Sequence, residues 1–363
     1  MQIKVKTKCR FFNGIAPCVY HKAKGVHCAR CEYYQSIEKK ILIIKLGAAG
    51  DVIRTTPLLR KLKKIYPHAY ITWLTYFPEV LPSTIDNIIT FEPKNILPLL
   101  ATTFDIVYNL DKEQEACALT ALVDAKVKKG FILKEGKCLP IDKNAYYKWL
   151  TGLFDDVNKK NTKSYVEELF NICGFAFDGE EYVIDRPKAG FSWNLPKNRP
   201  LIGLNTGCSK RWPTRLWSQK HWIALAKRLK SEGYGVIFLG GEREDGKNKY
   251  MAKKADVSYL GYFPFDKFVS LLDACDLLVT SITMALHIAV GLKKKIVFFN
   301  NIFNKHEFET YGRGVIVEPN IKCKGCYKDV CRIQCMELIK TEQVFNICKR
   351  LLPLRSSRRK GNG

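Results

Sequence analysis

The stretch 45–62 contains an aspartate directly after a strand-like run and a glycine-bearing turn. Gly47 and Gly50 precede Asp51, and they permit close backbone approach and positive φ beside a ligand. With Thr56 as cap and Pro57 in the first turn of the next helix, we expect Asp51 to lie in the loop. There the carboxylate would either take a proton from a bound hydroxyl or simply cap a helix.

A second stretch, 205–222, ends a strand in polar residues and continues with cations. Thr206 offers a hydroxyl, Gly207 allows close approach, and Lys210 and Arg211 follow. Cations at that place would neutralise a diphosphate leaving group as its negative charge develops. The same charges would equally suit a solvated, exposed loop.

Two further strand ends carry groups that suit a nucleotide. In 238–248 an acidic cluster that includes Glu244 follows two glycines, and a carboxylate there either binds ribose hydroxyls or lies in a solvated loop. In 278–292, Thr283 precedes a helix whose first N–H groups suit a phosphate. His287 lies on the apolar part of that helix, as a core residue or as a ligand contact.

Cysteines concentrate at the two ends of the chain. The N-terminal cluster has four cysteines and His21, a count that suits tetrahedral zinc and would order a short segment with little apolar content. Reduced thiols on a flexible arm are the alternative. The C-terminal cluster is a second candidate site, for zinc or for iron–sulfur ligation. The N-terminal cluster is Cys9, Cys18, Cys28 and Cys31, and the C-terminal cluster is Cys323, Cys326, Cys331 and Cys335.

Apolar runs alternate with amphipathic segments, which is typical of a parallel sheet covered by helices on both faces. Strand candidates in the first half are 41–45, 69–75, 87–92, 104–110 and 125–131. Those in the second half are 201–207, 235–241, 276–281 and 295–300. The segment 185–200 contains three prolines and no periodicity, so it reads as a linker. The pattern predicts two Rossmann-like halves with ligand outside the carboxyl ends of their strands.

The composition excludes several classes of protein and favours an anionic partner. The chain has 363 residues, of which 47% are hydrophobic, and this excludes a largely disordered or low-complexity protein. Its formal net charge of +25 indicates nucleic acid, a phosphorylated glycolipid or an anionic membrane surface as partner. We find no apolar run long enough to span a bilayer and no leader-like start, so we expect a reducing compartment.

Taken together, these stretches resemble glycosyltransferase family 9, the heptosyltransferases that add ADP-activated heptose to the lipopolysaccharide core. The resemblance runs from about Ile41 to Arg350 and rests on the order of several motifs. The motifs are ILIIKLGAAGDVIRTTPLL (41–59), DIVYNLDKE (105–113), GLNTG (203–207), RWPTRLW (211–217), LGG (239–241) with Glu244 and Asn248, TMALHIA (283–289) and CKGCYKDVC (323–331).

The resemblance implies an α/β GT-B fold with two Rossmann-like domains facing across a cleft, and the N-terminal cysteine cluster adds a small Cys-rich extension. We therefore expect the extension at 1–38, an acceptor domain at 39–186, a linker at 187–200, a donor-binding domain at 201–350 and a basic tail at 351–363. Transfer in this family is inverting and needs no obligatory catalytic metal.

The resemblance also assigns roles to individual residues. It makes Asp51 the general base, and it makes Lys210 the cation that neutralises the donor phosphates. Gly47, Gly50 and Arg54 belong to the acceptor-side loop. The residues it places around the donor are Thr206, Gly207, Glu244 (with Glu242 as an alternative), Thr283, Met284, Ala285 and His287. Many members read Asp-Thr-Gly where this chain has Ile282, Thr283 and Met284, so the sugar stays open.

The sequence therefore predicts an inverting glycosyltransferase without catalytic metal or redox cofactor. It would move heptose or a related sugar from a nucleoside-diphosphate sugar, such as ADP-heptose, to a lipopolysaccharide-core or other anionic glycan acceptor. We expect it in the cytoplasm, as a peripheral protein on the cytoplasmic face of the inner membrane. The competing function is that of a zinc-containing nucleic-acid-binding protein, although basic residues are spread along the chain and no nucleic-acid module is recognisable.

Overall fold

The computed structural model describes residues 4–186, 191–196 and 198–354. Contacts between Cα atoms divide the chain into two compact units. The first unit comprises the described residues of the ranges 4–48, 56–149 and 169–180. The second comprises those of the ranges 49–55, 150–168 and 181–354. The segment Ala49–Thr55, which carries Asp51, therefore belongs to the second unit.

The sheet of the first unit is parallel except at one edge. Its strands are β1 (Lys39–Ile44), β2 (Ala69–Leu74), β3 (Asn87–Ile89), β4 (Phe104–Asn109), β5 (Ala125–Lys134) and β6 (Lys137–Pro140), in the spatial order β3-β2-β1-β4-β5-β6. Only β6, which returns from β5 in a hairpin, is antiparallel to its neighbour. This is the strand order of a Rossmann fold, in which the order reverses between β1 and β4.

Helices connect these strands and continue past the sheet. Their bounds are α1 (Val19–Lys24), α2 (Ala49–Ile53), α3 (Pro57–Ile65), α4 (Pro93–Leu100), α5 (Gln114–Leu122), α6 (Lys143–Leu153), α7 (Asp155–Lys160) and α8 (Tyr165–Cys173). The last four residues of β1, from Ile41 to Ile44, are wholly buried. A continuously apolar strand of this kind needs cover on both faces, which explains why helices alternate with the strands.

Aromatic contacts and an ion pair order the N-terminal extension. The Tyr20 and Tyr33 rings stack at 4.2 Å between centroids, and Phe11 meets Tyr20 edge-on at 4.8 Å. The Arg10 Nε lies 2.8 Å from Asp86 Oδ1 and so ties the extension to the rest of the first unit. Stacked rings bury apolar area in a segment that has few aliphatic residues.

The sheet of the second unit is entirely parallel. Its strands are β7 (Leu201–Asn205), β8 (Gly235–Leu239), β9 (Leu277–Ser281), β10 (Lys295–Phe299) and β11 (Gly314–Val317), in the order β11-β10-β9-β7-β8. Its helices are α9 (Gln219–Ser231), α10 (Asp245–Ala255), α11 (Phe265–Asp273), α12 (Met284–Gly291) and α13 (Thr341–Leu351). The strand order reverses between β7 and β9, and doubly wound sheets bind their ligands at such a point.

The α/β prediction, with two mostly parallel sheets, is confirmed. The expectation that Asp51 lies in a loop capped by Thr56 is wrong, because Asp51 lies in the short helix α2. Thr56 has helical φ and ψ and makes no side-chain capping hydrogen bond, since the chain turns directly from α2 into α3. Part of the predicted linker and the end of the predicted basic tail, at 187–190, 197 and 355–363, lie outside the described residues.

A search of the described residues finds no helix that is both long and apolar enough to cross a membrane.

Candidate active site

Helix α2 packs against helix α12 at a position where only glycine fits. A Cβ atom added at Gly50 would lie 2.7 Å from His287 Cδ2 and 3.7 Å from the Met284 Cα. Carbon atoms in contact need more than 3 Å, so the absence of a side chain lets the two helices approach. The glycine that precedes Asp51 therefore sets the position of this carboxylate relative to α12.

Asp51, on α2, and Arg54, in the turn that follows it, form an ion pair. Arg54 Nε lies 3.0 Å from Asp51 Oδ1, and the side chains are 9% and 37% exposed respectively. The guanidinium also lies over the Tyr165 ring, 3.5 Å from its centroid. Burial lowers the pKa of Arg54. The charges of Asp51, of nearby tyrosines and of Glu307 raise this pKa by more, so the net shift is upward. Arg54 is thus a fixed cation beside a partly exposed carboxylate.

His287 is buried next to this pair and is neutral at physiological pH. Burial and the positive charge of Arg54 lower its pKa to about 3, against a smaller opposing effect of Asp51. Its ring stacks on Tyr182, with centroids 6.2 Å apart. The Nδ1 atom is buried and makes no hydrogen bond within the described part of the chain. His287 therefore packs between α2 and the Tyr182 ring and also presents an unused ring nitrogen there.

The predicted donor residues meet where the strand order of the second sheet reverses. Asn205, at the end of β7, donates to Thr280 Oγ1 at 2.9 Å and to Thr283 Oγ1 at 3.2 Å. Thr206 is buried and donates to Asn248 Oδ1 at 2.6 Å. These hydrogen bonds fix the loops that follow β7 and β9 relative to α10.

Glu244 lies against the glycine that follows Thr206. A Cβ atom at Gly207 would come within 2.7 Å of the Glu244 carboxyl carbon. Its Oε2 accepts a hydrogen bond of 3.1 Å from the Gly241 N–H, which holds the carboxylate over the loop. Glu242 is exposed. Of the two acidic candidates, Glu244 is the one placed beside Thr206 and Gly207.

Lys247 is a cation in contact with the loop after β7, at Thr206. Lys210 is exposed, whereas Lys247 is half-buried and donates to the Thr206 carbonyl at 3.2 Å. Burial lowers the pKa of Lys247, and Glu244 and Cys208 partly oppose this shift. Lys247 also lines a cavity of about 530 Å³ bounded by the turn 213–219 and residues 329–337.

The first turn of α12, which follows the end of β9, offers backbone N–H donors. Thr283 is the N-cap, and the Leu286 N–H is bonded back to the Thr283 carbonyl at 3.0 Å. Met284 and Ala285 come before this bond, at helix positions whose N–H groups have no intrahelical acceptor. An anion placed there would meet these donors and the positive end of the helix dipole.

A buried arginine, which the sequence did not indicate, binds the residues just before the first turn of α12. Arg215 donates to the Ile282 carbonyl, and its own carbonyl accepts from Ser281 Oγ at 3.1 Å. Burial lowers its pKa to about 10. The RWPTRLW motif therefore braces the end of β9 through Arg215.

A second ion pair, missed at the sequence level, follows β1 in the first unit. Lys45 and Asp111 are both buried and paired, and Asp111 also accepts from the Leu46 N–H. Lys45 Nζ further donates to the Gly47 carbonyl at 2.6 Å. The signal available in the sequence was a pair of oppositely charged residues at the ends of the two strands beside the sheet reversal: Lys45 directly follows β1, and Asp111 is the second residue after β4.

The cysteine clusters were the predicted metal ligands. All cysteines are free thiols, and no group of three or more Cys, His, Asp or Glu residues within the described ranges is positioned to hold a metal ion. Cys18 instead accepts a long hydrogen bond of 3.4 Å from the His21 N–H, at the start of α1. Metal binding by either cluster stays a prediction of the sequence.

The geometry thus groups the predicted residues in two places of the second unit. Asp51, Arg54 and His287 meet where α2 packs on α12. The residues Thr206, Gly207 and Glu244 meet beside Lys247. Gly47 adjoins β1 in the first unit, where a Cβ would lie 3.2 Å from the Phe77 ring.

Two doubly wound sheets with polar loops at the strand-order reversals define the chain as an α/β protein with two Rossmann-like sheets. A sequence model described as glycosyltransferase family 9 (heptosyltransferase) matches residues 97–337, about two thirds of the chain. The chain belongs to glycosyltransferase family 9.

Solved structures and curated relatives agree with this assignment. A glycosyl transferase family 9 protein from Veillonella parvula is 20% identical, with a TM-score of 0.65 over 87% of this chain and 97% of that one. The E. coli ADP-heptose lps heptosyltransferase II gives 19% identity and a TM-score of 0.63 over 86% and 98%. Lipopolysaccharide heptosyltransferase 2 of E. coli K12 is 30% identical over 112 residues, 29% of this chain. The chain spans about a third (32%) of the length of that curated relative.

Proposed function

We propose that this protein is an inverting glycosyltransferase that moves a heptose or related sugar from a nucleoside diphosphate to a hydroxyl of a glycan acceptor. The observation that carries the proposal is the partly exposed Asp51 carboxylate, held by Arg54 on a helix packed against α12. Membership of a heptosyltransferase family supports the reaction type. ADP-heptose is the proposed donor, because the similar E. coli structure is described as an ADP-heptose enzyme.

The proposed reaction is one direct displacement. Asp51 takes the proton of the acceptor hydroxyl, whose oxygen forms a bond to the anomeric carbon while the bond to the diphosphate oxygen breaks. A single displacement inverts the anomeric configuration. The nucleoside diphosphate leaves with the electron pair, and its charge is stabilised by Lys247, by Lys210 and by the Met284 and Ala285 N–H groups. We assign Glu244 to the ribose hydroxyls. The step uses no metal or redox cofactor.

We further propose that residues 201–350 bind the donor and residues 39–186 the acceptor. The net charge of +25 suits an acceptor that carries phosphate groups on a lipid anchor. Basic residues near an anionic bilayer contribute about 1 kcal/mol each, which supports a peripheral location on the cytoplasmic face of the membrane. Retention on phosphatidylglycerol vesicles but not on phosphatidylcholine vesicles tests this location, and equal retention on both would contradict it.

Substitution of the base tests the reaction. We expect Asp51→Asn to lower kcat by about 10² to 10⁴, the range of general-base catalysis, because an amide cannot accept the proton. Donor affinity and fold should persist. Asp256→Asn is the matched control, since Asp256 is an exposed carboxylate that pairs with Lys230 and has positive φ, which asparagine tolerates. Release of ADP from ADP-heptose in the presence of lipopolysaccharide core measures turnover.

Two outcomes would contradict the proposal. Turnover of Asp51→Asn equal to that of Asp256→Asn would show that Asp51 is not the base. Salt-dependent binding of oligonucleotides at physiological ionic strength, without release of ADP, would favour the nucleic-acid-binding alternative.

A further inference from the structure

We propose that Arg54 is the positioning residue of this enzyme, which fixes the orientation and the charge of Asp51 for proton abstraction. The inference rests on the proposed role of Asp51 as the base. It adds a function to a residue that the sequence placed only in the acceptor-side loop.

The geometry holds the Asp51 carboxylate from one side. Arg54 comes three residues after Asp51, in the turn that directly follows α2, and its Nε contacts Oδ1 at 3.0 Å. The Arg54 N–H donates to the Gly50 carbonyl at 3.0 Å, and Thr55 Oγ1 donates to the Asp51 carbonyl at 2.6 Å. Hydrogen bonds therefore fix the backbone of this turn, and the ion pair with Arg54 sets the direction of the carboxylate.

The Arg54 guanidinium is enclosed by its neighbours. It is buried, and the Tyr165 ring covers one of its faces at 3.5 Å. A cation over an aromatic face gains electrostatic energy that grows when both are removed from water. Arg54 is thus a rigid partner, unlike a surface arginine whose side chain samples many rotamers.

The charged and titratable groups around the pair come from several elements. They are Tyr165 at the start of α8, Tyr182, His287 on α12 and Glu307 in the 3₁₀ turn Lys305–Glu307. His287 is neutral, as argued above, and the pKa values of Arg54 and Tyr182 are raised. Over the range where an enzyme works, Arg54 is therefore the permanent cation of this group. A cation within about 4 to 6 Å of a carboxylate favours its ionised form.

The consequence is that the base stays ionised in mild acid. In Arg54→Met the charge is lost and the side-chain length is roughly kept. We expect the acid limb of the kcat/KM profile to move up by about one pH unit, at the low end of the usual effect because Asp51 is partly exposed. We also expect kcat at neutral pH to fall by about tenfold or more, since a misdirected base reacts poorly.

Arg54→Lys separates charge from geometry. Lysine keeps the positive charge but lacks the planar fork and stacks less well on Tyr165. The acid limb of the kcat/KM profile of Arg54→Lys should coincide with that of the wild type, while the kcat of this variant falls. Lys63→Met is the matched control, because Lys63 is an exposed cation on α3 and its loss should change neither quantity.

All variants are assayed with ADP-heptose and lipopolysaccharide core beside Asp51→Asn. An unmoved acid limb in Arg54→Met, with Asp51→Asn inactive, would overturn the role of Arg54 and leave the base assignment standing. Activity in Asp51→Asn would overturn both. If Arg54→Met does not fold, Arg54→Lys decides: a reduced kcat supports the positioning role, and a wild-type kcat rejects it.

Discussion

The contact between α2 and α12 predicts that a single methyl group at residue 50 lowers both the stability and the turnover of the enzyme. In Gly50→Ala the new Cβ would lie 2.7 Å from His287 Cδ2, whereas ordinary contact begins at about 3.4 Å. The difference, 3.4 − 2.7 = 0.7 Å, must come from movement of one helix, because His287 is buried and backed by Tyr182. The φ angle of Gly50 is not positive, so the cost of the alanine substitution is steric and not a backbone strain.

The magnitude follows from this overlap. Overpacking costs about 1 to 3 kcal/mol, and the better helix propensity of alanine returns up to about 1 kcal/mol. We therefore expect the free energy of unfolding to fall by about 1 to 2 kcal/mol. Asp51 is the next residue on the same short helix, so a shift of this size should also lower kcat by about tenfold or more.

Urea unfolding and the ADP-release assay measure the two effects. Gly246→Ala in α10 is the matched control, because a Cβ there meets no heavy atom within 4 Å and alanine should leave stability unchanged or raise it. In a His287→Ala background the penalty of Gly50→Ala should largely disappear, since the obstructing ring is gone. A Gly50→Ala enzyme with the urea midpoint and kcat of the wild type would refute the reasoning.

Two further predictions concern pH and metal. The pKa of His287 is about 3 in the fold and lies near 6.5 in the unfolded chain, so its contribution to stability is complete above pH 6.5 and is lost as pH falls toward 3. Between these pH values the free energy of unfolding should fall more steeply in the wild type than in His287→Gln, by up to about 1.4 kcal/mol per pH unit. Equal slopes in the two proteins would contradict a buried, neutral His287. Metal analysis of protein purified under reducing, anaerobic conditions tests the cysteine clusters: at least about half an equivalent of zinc or iron, lost on Cys→Ser substitution, would confirm a site, and less would reject it.

The sequence predicted the parts of the fold that local pattern encodes. Runs of β-branched and aliphatic residues alternate with helical periodicity, and this predicted two mostly parallel sheets. It also placed Thr206, Glu244 and Thr283 after strands, and the structure brings Thr206 and Thr283 to the strand-order reversal of one sheet. These features follow from short-range spacing.

The sequence could not predict which cation lies beside the loop after β7. Lys210 and Lys247 are the same residue type in the sequence. In the structure Lys210 is exposed, whereas Lys247 is half-buried against the Thr206 carbonyl. The same applies to Arg215, which the packing of its loop buries behind Ile282. Burial is a property of long-range packing, and local periodicity does not report it for a charged residue.

The sequence alone determined that an aspartate follows the first strand and two glycines, and that strands and helices alternate after it. Only the tertiary structure decided that Asp51 lies on a helix packed against α12, paired with Arg54 and next to a neutral His287. The physical reason is distance along the chain: residues 50 and 287 touch because two helices approach at a glycine, and no local pattern in either segment encodes the other.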